Sequence, residues 1–554
     1  MPNTWRTFKR LLVGQPLSTA VAQVERVGWL PGLAVFSSDA LSSVAYAVEE
    51  ILLVFAPVGA AALALSTPVA GAIVVLLALV VTSFRQLIPA YSNGGGSYAV
   101  ARENLGQMTG LVAAAALLVD YVLTVAVSVT AGVAAVTSAI PPLFEHRVAL
   151  GLSAVVLVAL ANLRGVRESA TLLAIPTYGF IASLGGMLVV GLYRWVAGTL
   201  PHATYAQAVD ASVAGAAMPA IGAFVVLRAF SSGCTAMTGV EAIADGVTAF
   251  KEPRAKNAVA TLTMLGIVLS TLMLGTTALA QKLGILPVAG ETVISQIGRL
   301  VLGGGPFYFA VQFFTAAVLL LAANTCFAAF PILTSVLAED RFMPRQLTHR
   351  GDRLVYSNGI AILSVLAATL IVVVGGATHA LIPLYAIGVF LSFTLSQLGM
   401  VRRALRLRER HWEWTLAVSG IGAAATATVV VIFAVTKFAH GAWIVVLVIP
   451  LIILFFLLLH DHYVAFGKAL AMEEWSAVAP RRHVAIVPVS GIHRGVANAL
   501  TYALSVSKDV RAVYIAERPE DGERMEEQWT LWDNGVPLVV LESPYRSVIG
   551  PLLQ

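Results

Sequence analysis

A carboxyl group within a long apolar stretch near the start of the chain is the first candidate for chemistry. Asp39 lies between Phe36-Ser-Ser and Ala-Leu-Ser-Ser, so hydroxyl-bearing and small residues surround it. A carboxylate in hydrocarbon is costly and usually functional. Tyr46 follows seven residues later, which is two helical turns, and would offer its hydroxyl on the same face. We expect both to bind a cation. The alternative for Asp39 is an interfacial acid or a structural partner for an arginine.

A second group of oxygen-bearing side chains lies in the third apolar segment. Asp120, Tyr121, Thr124 and Ser128 are spaced by steps of three and four residues, which places them along one stripe of a helix. Oxygens in a row on a buried helix suit a weakly held cation. The alternative is hydrogen bonding between helices, for which membrane bundles use Thr and Ser freely.

The sixth apolar segment contains a second hydroxyl-rich interruption, which begins at Phe230-Ser-Ser. Thr235, Thr238 and Glu241 follow it. Glu241 could accept a proton, bind a cation, or cap the broken helix. Tyr385, in the tenth segment, is the weakest candidate, because a tyrosine near a helix end is often an anchor at the membrane interface.

The sequence lacks the motifs of nucleotide and metal chemistry. The glycine-rich loop from Tyr91 to Tyr98 has no preceding strand and no Gly-Lys-Ser/Thr signature, so we interpret it as a re-entrant or cytoplasmic turn. Cys234 and Cys326 form neither a CxxC motif nor a zinc spacing. With no nucleophile or metal cluster in view, we expect neither an enzyme nor a bound cofactor.

The elements that must position these residues are membrane helices. Hydrophobic residues make up 58% of the 554 residues and charged residues only 12%, whereas soluble domains are about one-quarter charged. Twelve apolar segments are long enough to span a bilayer, the first at 30–56, the sixth at 220–247 and the last at 443–459. Most Lys and Arg residues fall in loops on the N-terminal side. This predicts a multi-pass protein of the inner cell membrane with both termini cytoplasmic, and it disfavours nucleic acid as a partner.

The composition divides the chain into four parts. Residues 1–29 are predicted to be a cytoplasmic segment, 30–460 a twelve-helix transmembrane domain, 461–480 a linker, and 481–554 a cytosolic α/β domain. In the last part, strands are predicted at 483–490, 510–516 and 537–541, with a helix at 495–505. Another helix would begin near Gln554, so we expect this domain to be completed by a partner chain or by further sequence.

The two hydroxyl-rich segments also indicate an internal repeat. Both contain Phe-Ser-Ser, then small and hydroxyl residues, then an acid, and they lie five spans apart. Segments five spans apart enter the membrane in opposite directions, as an inverted repeat requires. We therefore expect an all-α fold with a LeuT-type five-plus-five inverted repeat and two further helices. Chance similarity between small-residue helices is the alternative.

These features resemble the amino acid–polyamine–organocation superfamily of transporters over residues 30–460, and more closely the KimA-type potassium importers. The resemblance is carried by Ser37-Ser-Asp-Ala-Leu-Ser-Ser-Val-Ala-Tyr-Ala, by Tyr91-Ser-Asn-Gly-Gly-Gly-Ser-Tyr, by Asp120-Tyr-x-x-Thr-x-x-x-Ser and by the α/β tail. It implies alternating access and import of potassium ions with protons by homodimers that exchange their cytosolic domains. It also implies inhibition by cyclic di-AMP.

The resemblance further assigns roles to individual residues. It implies an ion path lined by Asp39, Tyr46, Tyr121, Thr124, Ser128, Thr238, Glu241 and Tyr385. Potassium would be held at Asp39, Tyr46, Thr124, Ser128 and Thr238, and Asp120 or Glu241 would carry the proton.

The nature of the substrate depends on Asp39. Amino acid permeases of this fold usually offer bare amides to the substrate carboxylate at the first broken helix, and Asp39 would repel that carboxylate. This favours potassium over a zwitterion. A proton-coupled amino acid or polyamine permease, with a cationic substrate, stays open as the alternative. A membrane sensor with the α/β tail as its output is a further reading, which the density of buried acids and hydroxyls disfavours.

Overall fold

The computed structural model describes residues 26–92, 96–164, 170–201, 222–351, 353–469, 484–532 and 535–543. Most of the predicted N-terminal segment lies outside the described residues. So do the glycines at the centre of the Tyr91–Tyr98 loop, most of the predicted linker and the end of the chain. Everything below concerns the described ranges.

Long apolar helices dominate the chain. The first half contains α1 (Trp29–Phe36), α2 (Ser38–Ser42), α3 (Val44–Phe55), α4 (Ala60–Leu63), α5 (Ser66–Ala90), α6 (Gly96–Leu105), α7 (Gln107–Ala139), α8 (Arg147–Leu163) and α9 (Ala170–Val196). The second half contains α10 (Ala223–Gly233), α11 (Ala242–Asp245), α12 (Arg254–Leu283), α13 (Val293–Leu302), α14 (Pro306–Glu339), α15 (Ser357–Val373), α16 (Thr378–Leu407), α17 (Trp412–Lys437) and α18 (Ala442–Ala469).

Within the described ranges, eleven helical segments are long and apolar enough to cross a membrane. The predicted ninth span corresponds to α15, whose 17 residues rise about 26 Å at 1.5 Å per residue. That length lies at the lower limit for a membrane helix. Each of the twelve predicted spans thus has a helix in the structure.

The first and sixth spans are interrupted. The first breaks at Ser37 and again at Ser43, and the hydroxyls of Ser42 and Ser43 donate to the Asp39 carbonyl oxygen at 2.8 and 3.1 Å. In the sixth, α10 leads into a 3-10 turn, after which Thr238 is extended and Gly239 has φ +81°. Irregular backbone at membrane depth is tolerated only where it is buried in protein or lines a cavity, so both interruptions mark a functional region.

The two halves of the membrane domain share one order of elements. In each, an interrupted helix precedes a long helix, a ten-residue helix and a second long helix: α5, α6 and α7 in the first half, and α12, α13 and α14 in the second. This order, together with the paired interruptions, is that of a LeuT-type five-plus-five inverted repeat, and α17 and α18 follow it. The short helices α6 and α13 were not predicted, because ten residues are too few to span a bilayer.

Helix α7 lies at the centre of the bundle and is buried along most of its length between α14 and α16. Small residues allow this packing. A methyl group at Gly388 of α16 would lie 2.7 Å from the carbonyl oxygen of Ala116 in α7. The two backbones therefore approach closely, beside the Cβ atom of Asp120.

Several arginines gather at one end of the bundle, which we call the basic end and define by Arg102, Arg345, Arg403 and Arg406. Arg102 pairs with Asp340 at the end of α14, and Arg406 bonds Asn104 of α6 at 3.1 Å. The start of α1 reaches the same end, since Val27 bonds Ala249 and Lys251. The end of α18 also lies there, because the Tyr463 hydroxyl accepts from the Arg345 N–H. This contact helps to explain why α18 continues past residue 460 to Ala469.

The C-terminal part folds as a small α/β domain, as predicted. Strands β1 (Val484–Val489), β2 (Asp509–Ala516) and β3 (Leu538–Glu542) form a parallel sheet in the order β1-β2-β3. Helices α19 (Arg494–Val506) and α20 (Pro519–Trp532) connect them. The sequence did not predict α20, because most of its residues are polar, and only a few, such as Met525 and Trp529, reach the core.

Candidate functional site

The two interruptions meet in the middle of the membrane domain through hydroxyl groups. Ser43 Oγ lies 2.7 Å from the Tyr46 hydroxyl and 3.1 Å from Thr238 Oγ1. The Tyr385 hydroxyl donates to Thr238 Oγ1 at 2.9 Å, and Thr124 Oγ1 donates to the Tyr385 hydroxyl at 3.0 Å. Five hydroxyls from α7, α16 and both interrupted spans therefore form one continuous chain, which we call the hydroxyl chain.

Three buried carboxyl groups lie near the hydroxyl chain. Asp39, Asp120 and Glu241 are 6%, 2% and 3% exposed, and Asp120 interacts electrostatically with the other two. Each has a buried oxygen that bonds no described residue: Asp39 Oδ1, Asp120 Oδ1 and Glu241 Oε2. Buried polar groups are almost always paired. Three such acids together indicate a place built for something positively charged.

The position of Asp39 depends on Gly239. A methyl group at residue 239 would lie 2.6 Å from Asp39 Cγ and 2.8 Å from the Ala40 nitrogen. The positive φ of Gly239 is also a backbone conformation that other residues rarely adopt. The backbone of the second interruption thus lies directly against the carboxylate of the first.

A cavity of about 810 Å³ leads from Asp39 and Glu241 to the basic end. Asp39, Tyr121, Glu241 and Asp245 line it together with apolar residues of α14, and Arg102 and Glu103 lie at its mouth. The Tyr121 hydroxyl donates to Asp245 Oδ2 at 3.4 Å. The deep part of the cavity therefore carries acidic and hydroxyl oxygens, whereas one of its walls is apolar.

The predicted residues fall into two groups in the structure. Tyr46, Thr124, Thr238 and Tyr385 belong to the hydroxyl chain, while Asp39, Tyr121 and Glu241 line the cavity. Ser128 lies one turn beyond Thr124 and is fully buried, but its hydroxyl bonds none of the described residues. The structure therefore joins Ser128 to neither group. Asp120 also lies outside both groups, although it is buried and interacts electrostatically with Glu241 and Asp39.

Sequence reasoning missed residues at the site itself. Ser43 joins the two interrupted spans, and Asp245 joins Asp39 and Glu241 as a third acid in the deep part of the cavity. Asp245 follows Glu241 by four residues, so the spacing of one helical turn between two acids was an available signal. The role of Gly239 had no such signal, because it comes from a contact between distant segments.

A cluster of ionisable groups at the opposite end was also missed. His379 Nδ1 lies 2.7 Å from Glu50 Oε1, and His379 Nε2 lies 3.3 Å from Glu49 Oε1. The N–H of Val293, at the start of α13, donates to Glu49 Oε2 at 3.2 Å. These contacts tie the C-terminal half of the first span to α13 and α16, at the end of the bundle opposite the basic end.

The ligand set suits a hard cation. Neutral hydroxyls and partly separated carboxylates are oxygen ligands, which alkali cations, alkaline-earth cations and Mn²⁺ accept, whereas softer transition metals prefer nitrogen and sulfur. Among the described residues, no three His, Cys, Asp or Glu side chains come close enough to hold a metal ion as a cluster. Two interrupted helices around a mid-membrane site, with a cavity to one side, define a membrane transporter of the amino acid permease class.

Comparison with known proteins agrees with this class. Residues 27–459 match the amino acid permease family, and residues 481–554 match the family described as the KimA potassium transporter C-terminal domain. The potassium transporter KimA of Bacillus subtilis (strain 168) is 43% identical over 547 residues, which cover 99% of this chain and 89% of that protein. The chain belongs to the KimA family of membrane transporters.

A manganese transporter from Eremococcus coleocola, solved with an aromatic bis-isothiourea substituted compound, is also similar. It is 14% identical, with a TM-score of 0.45, and the match covers 81% of this chain and 99% of that one.

The contact between Gly239 and Asp39 gives a test of how the site is built. Gly239→Ala should lower stability in detergent by more than the roughly 1–2 kcal/mol of a left-handed backbone alone, because the new methyl group also displaces Asp39. Gly198→Ala is the matched control, since Gly198 has φ +68° but no atom within 4 Å of its methyl position. Thermal unfolding of both purified variants measures the difference. Equal destabilisation would contradict the assigned contact.

Proposed function

We propose that the chain imports potassium ions by symport with protons through alternating access. The observation that supports this proposal is the junction of the two interrupted spans. There the hydroxyl chain lies beside three buried and incompletely paired acids. The B. subtilis relative is named a potassium transporter, and its 43% identity over nearly the whole chain supports the same substrate here.

The charge and ligand types at the site support potassium. Asp39 supplies a full negative charge, and Tyr46, Thr124 and Thr238 supply neutral oxygens that can replace water around a large monovalent cation. Ser128 is kept in the proposed potassium set on the resemblance alone. Tyr121, Glu241 and Tyr385 complete the proposed ion path.

A proton-coupled amino acid or polyamine permease is the second candidate. The cavity of about 810 Å³ favours it, because that volume is far more than a single potassium ion needs and falls in the range of small-molecule sites. The acids would then bind the ammonium groups of a cationic substrate. Competition between labelled potassium and polyamines or basic amino acids separates the two candidates.

Asp120 and Glu241 are the proposed proton carriers. Each presents an oxygen that bonds no described residue, in surroundings where a lone charge is expensive. Such a carboxyl group can release its proton when a cation binds nearby, because the cation then balances the negative charge of the carboxylate. Proton binding at Glu241 or Asp120 would thus be linked to occupancy of the site at Asp39.

The shape of the molecule supports access from one side at a time. The cavity reaches the basic end, while the contacts of His379 with Glu49 and Glu50 close the opposite end. Because loops rich in Lys and Arg face the cytoplasm, we place the basic end and both chain termini in the cytoplasm. The structure then corresponds to an inward-facing form of a cell-membrane transporter.

The α/β domain supports a homodimer. One face of β1 packs on α19 through Ala485, Val487 and Val489, but Val484 and Ile486 on the other face are 63% and 57% exposed. An exposed apolar sheet face usually marks an interaction surface. We propose that a second copy covers it and that cyclic di-AMP binds this domain as a regulator.

The Asp39→Asn variant tests the cation site. Uptake should fall roughly tenfold to hundredfold, because a charged hydrogen-bonding group is worth about 1.5–3 kcal/mol. The assay is growth and rubidium or potassium uptake in cells that lack their own potassium importers. Glu103→Gln is the control, since Glu103 lines the same cavity at its mouth but is half exposed. Normal uptake by well-expressed Asp39→Asn protein would exclude Asp39 from the site.

The Glu241→Gln variant tests proton coupling. Wild-type uptake should rise when the outside is acidified and collapse when an uncoupler is added, because proton entry drives the cation. A glutamine cannot exchange a proton, so uptake by the variant should be slow and indifferent to both. A pH-sensitive electrode and ion flux in proteoliposomes give the readout. A wild type that ignores both treatments would indicate a channel or a different driving ion.

The Ile486→Asp variant tests dimerisation through the α/β domain. A charge on the exposed face of β1 should convert the detergent-solubilised dimer to a monomer without unfolding the domain. Leu531→Asp is the matched control, because Leu531 is 86% exposed on α20, away from that face. Light scattering after size-exclusion chromatography reports the mass. A dimer that survives Ile486→Asp but is lost after removal of residues 481–554 would place the interface elsewhere in the domain.

A further inference from the structure

A second cavity lies at the basic end, apart from the transport cavity. Its volume is about 250 Å³, and it lies between the end of α5, the end of α16 and the start of α17. Pro89 of α5, Leu407 of α16 and Trp412 of α17 are among its lining residues, together with Gln86, Arg403 and Arg410. None of these residues belongs to the transport pathway described above.

The charges of this cavity suit an anion with a single negative charge. The Arg403 side chain is only 17% exposed and is held by Glu409 at 2.9 Å and by the face of the Tyr91 ring. Arg410 is exposed, and no ion pair to it is found among the described residues. Arg403 and Glu409 balance each other, so Arg410 leaves the cavity with a net positive charge.

The surrounding arginines are engaged elsewhere. Arg406 bonds Asn104 and lies 3.6 Å from Glu103, while Arg408 stacks on Trp412. Arg402 is exposed and does not line the cavity. The positive charge available to a ligand is therefore localised at Arg410 and the preorganised guanidinium of Arg403, rather than spread over the whole Arg402–Arg410 run.

The depth of the cavity indicates a lipid. It lies where two membrane helices end and a third begins, which is the level of lipid headgroups. Trp414 on the first turn of α17 is 63% exposed, as aromatic side chains at the interface usually are. Leu405 and Leu407 of α16 are 48% and 45% exposed and offer an apolar path for acyl chains.

One further group points to a hydroxyl-bearing headgroup. The Gln86 Oε1 atom lines this region, is buried, and accepts no hydrogen bond from any described residue. Because Arg410 makes the cavity positive, it disfavours a ligand group that donates to this oxygen from a cation and favours an uncharged donor such as a hydroxyl. A glycerol headgroup provides hydroxyl donors and a phosphodiester with one negative charge.

We propose that this cavity binds the phosphate of an anionic phospholipid with a glycerol headgroup, through Arg403 and Arg410, with Gln86 accepting from a headgroup hydroxyl. Basic pockets between membrane helices are a general means of binding such headgroups. The bound lipid joins α5 to α16 and α17, and it stabilises that corner of the bundle.

The experiment uses the full-length chain, purified and stripped of lipid in a neutral detergent. Phosphatidylglycerol and phosphatidylcholine with identical acyl chains are added separately, and native mass spectrometry and thermal unfolding report binding. Phosphatidylglycerol should be retained at least about tenfold better and should raise the unfolding temperature. A tenfold difference corresponds to about 1.4 kcal/mol.

The matched variants are Arg410→Gln and Arg402→Gln, which remove the same charge from one short segment. Only Arg410→Gln should abolish the preference for phosphatidylglycerol. Equal loss in both variants would overturn the proposal, because attraction would then be a diffuse property of the basic loop. Equal retention of phosphatidylcholine would overturn it as well. Stabilisation by soluble glycerol phosphate or inorganic phosphate alone, matching that by lipid, would show a site for a free phosphate compound and overturn the lipid assignment.

Discussion

The contact between the two interrupted helices is the interaction on which the remaining structure depends. In a bilayer, a helix can stop only where its freed backbone groups are buried in protein or line a cavity. Here the interruption at Ser37–Ser43 is buried against the one at Thr238–Gly239, through the Ser43–Thr238 hydrogen bond and the close approach of Gly239 to Asp39. Without the other interruption, neither one would have its freed backbone groups buried in protein. The cavity and the placement of its acids follow from this mutual dependence.

The scaffold around the interruptions fixes the other ligands. Helix α7 brings Thr124 and Asp120 to the junction, and α16 brings Tyr385, because Gly388 lets the backbones of α16 and α7 approach closely. One oxygen-rich centre is thus assembled from four spans that are far apart in sequence. The alternating access proposed above would need such an arrangement, because spans that move relative to one another would change which side the centre faces while its ligands stay on the same helices.

The two ends of the bundle differ in how they are held. At the basic end, the arginines pair at the rim of an open cavity, where water weakens their contacts. At the opposite end, Glu49 and Glu50 are nearly buried and share His379, so breaking that cluster would leave charges with poor solvation. This asymmetry agrees with the proposed opening of the cavity at the basic end. The exposed apolar face of β1 is the basis of the assembly role proposed for the α/β domain.

The sequence by itself determined the membrane class, the number of spans, the paired interruptions and the α/β tail. These are local properties, because apolar length, loop charge, helical spacing and strand alternation can all be read along one segment. It also selected most of the acids and hydroxyls found at the junction, with Ser43 and Asp245 as the exceptions. Only the tertiary structure decided that Ser43 and Gly239 hold the junction together and that Asp245 lines the cavity. It also decided that Ser128 belongs neither to the hydroxyl chain nor to the cavity. At the end opposite the basic end, it brought Glu49 and Glu50 together with His379. Each of these depends on contacts between segments more than one hundred residues apart or on the shape of the bundle, and a pattern within one segment carries no information about which distant backbone lies against it.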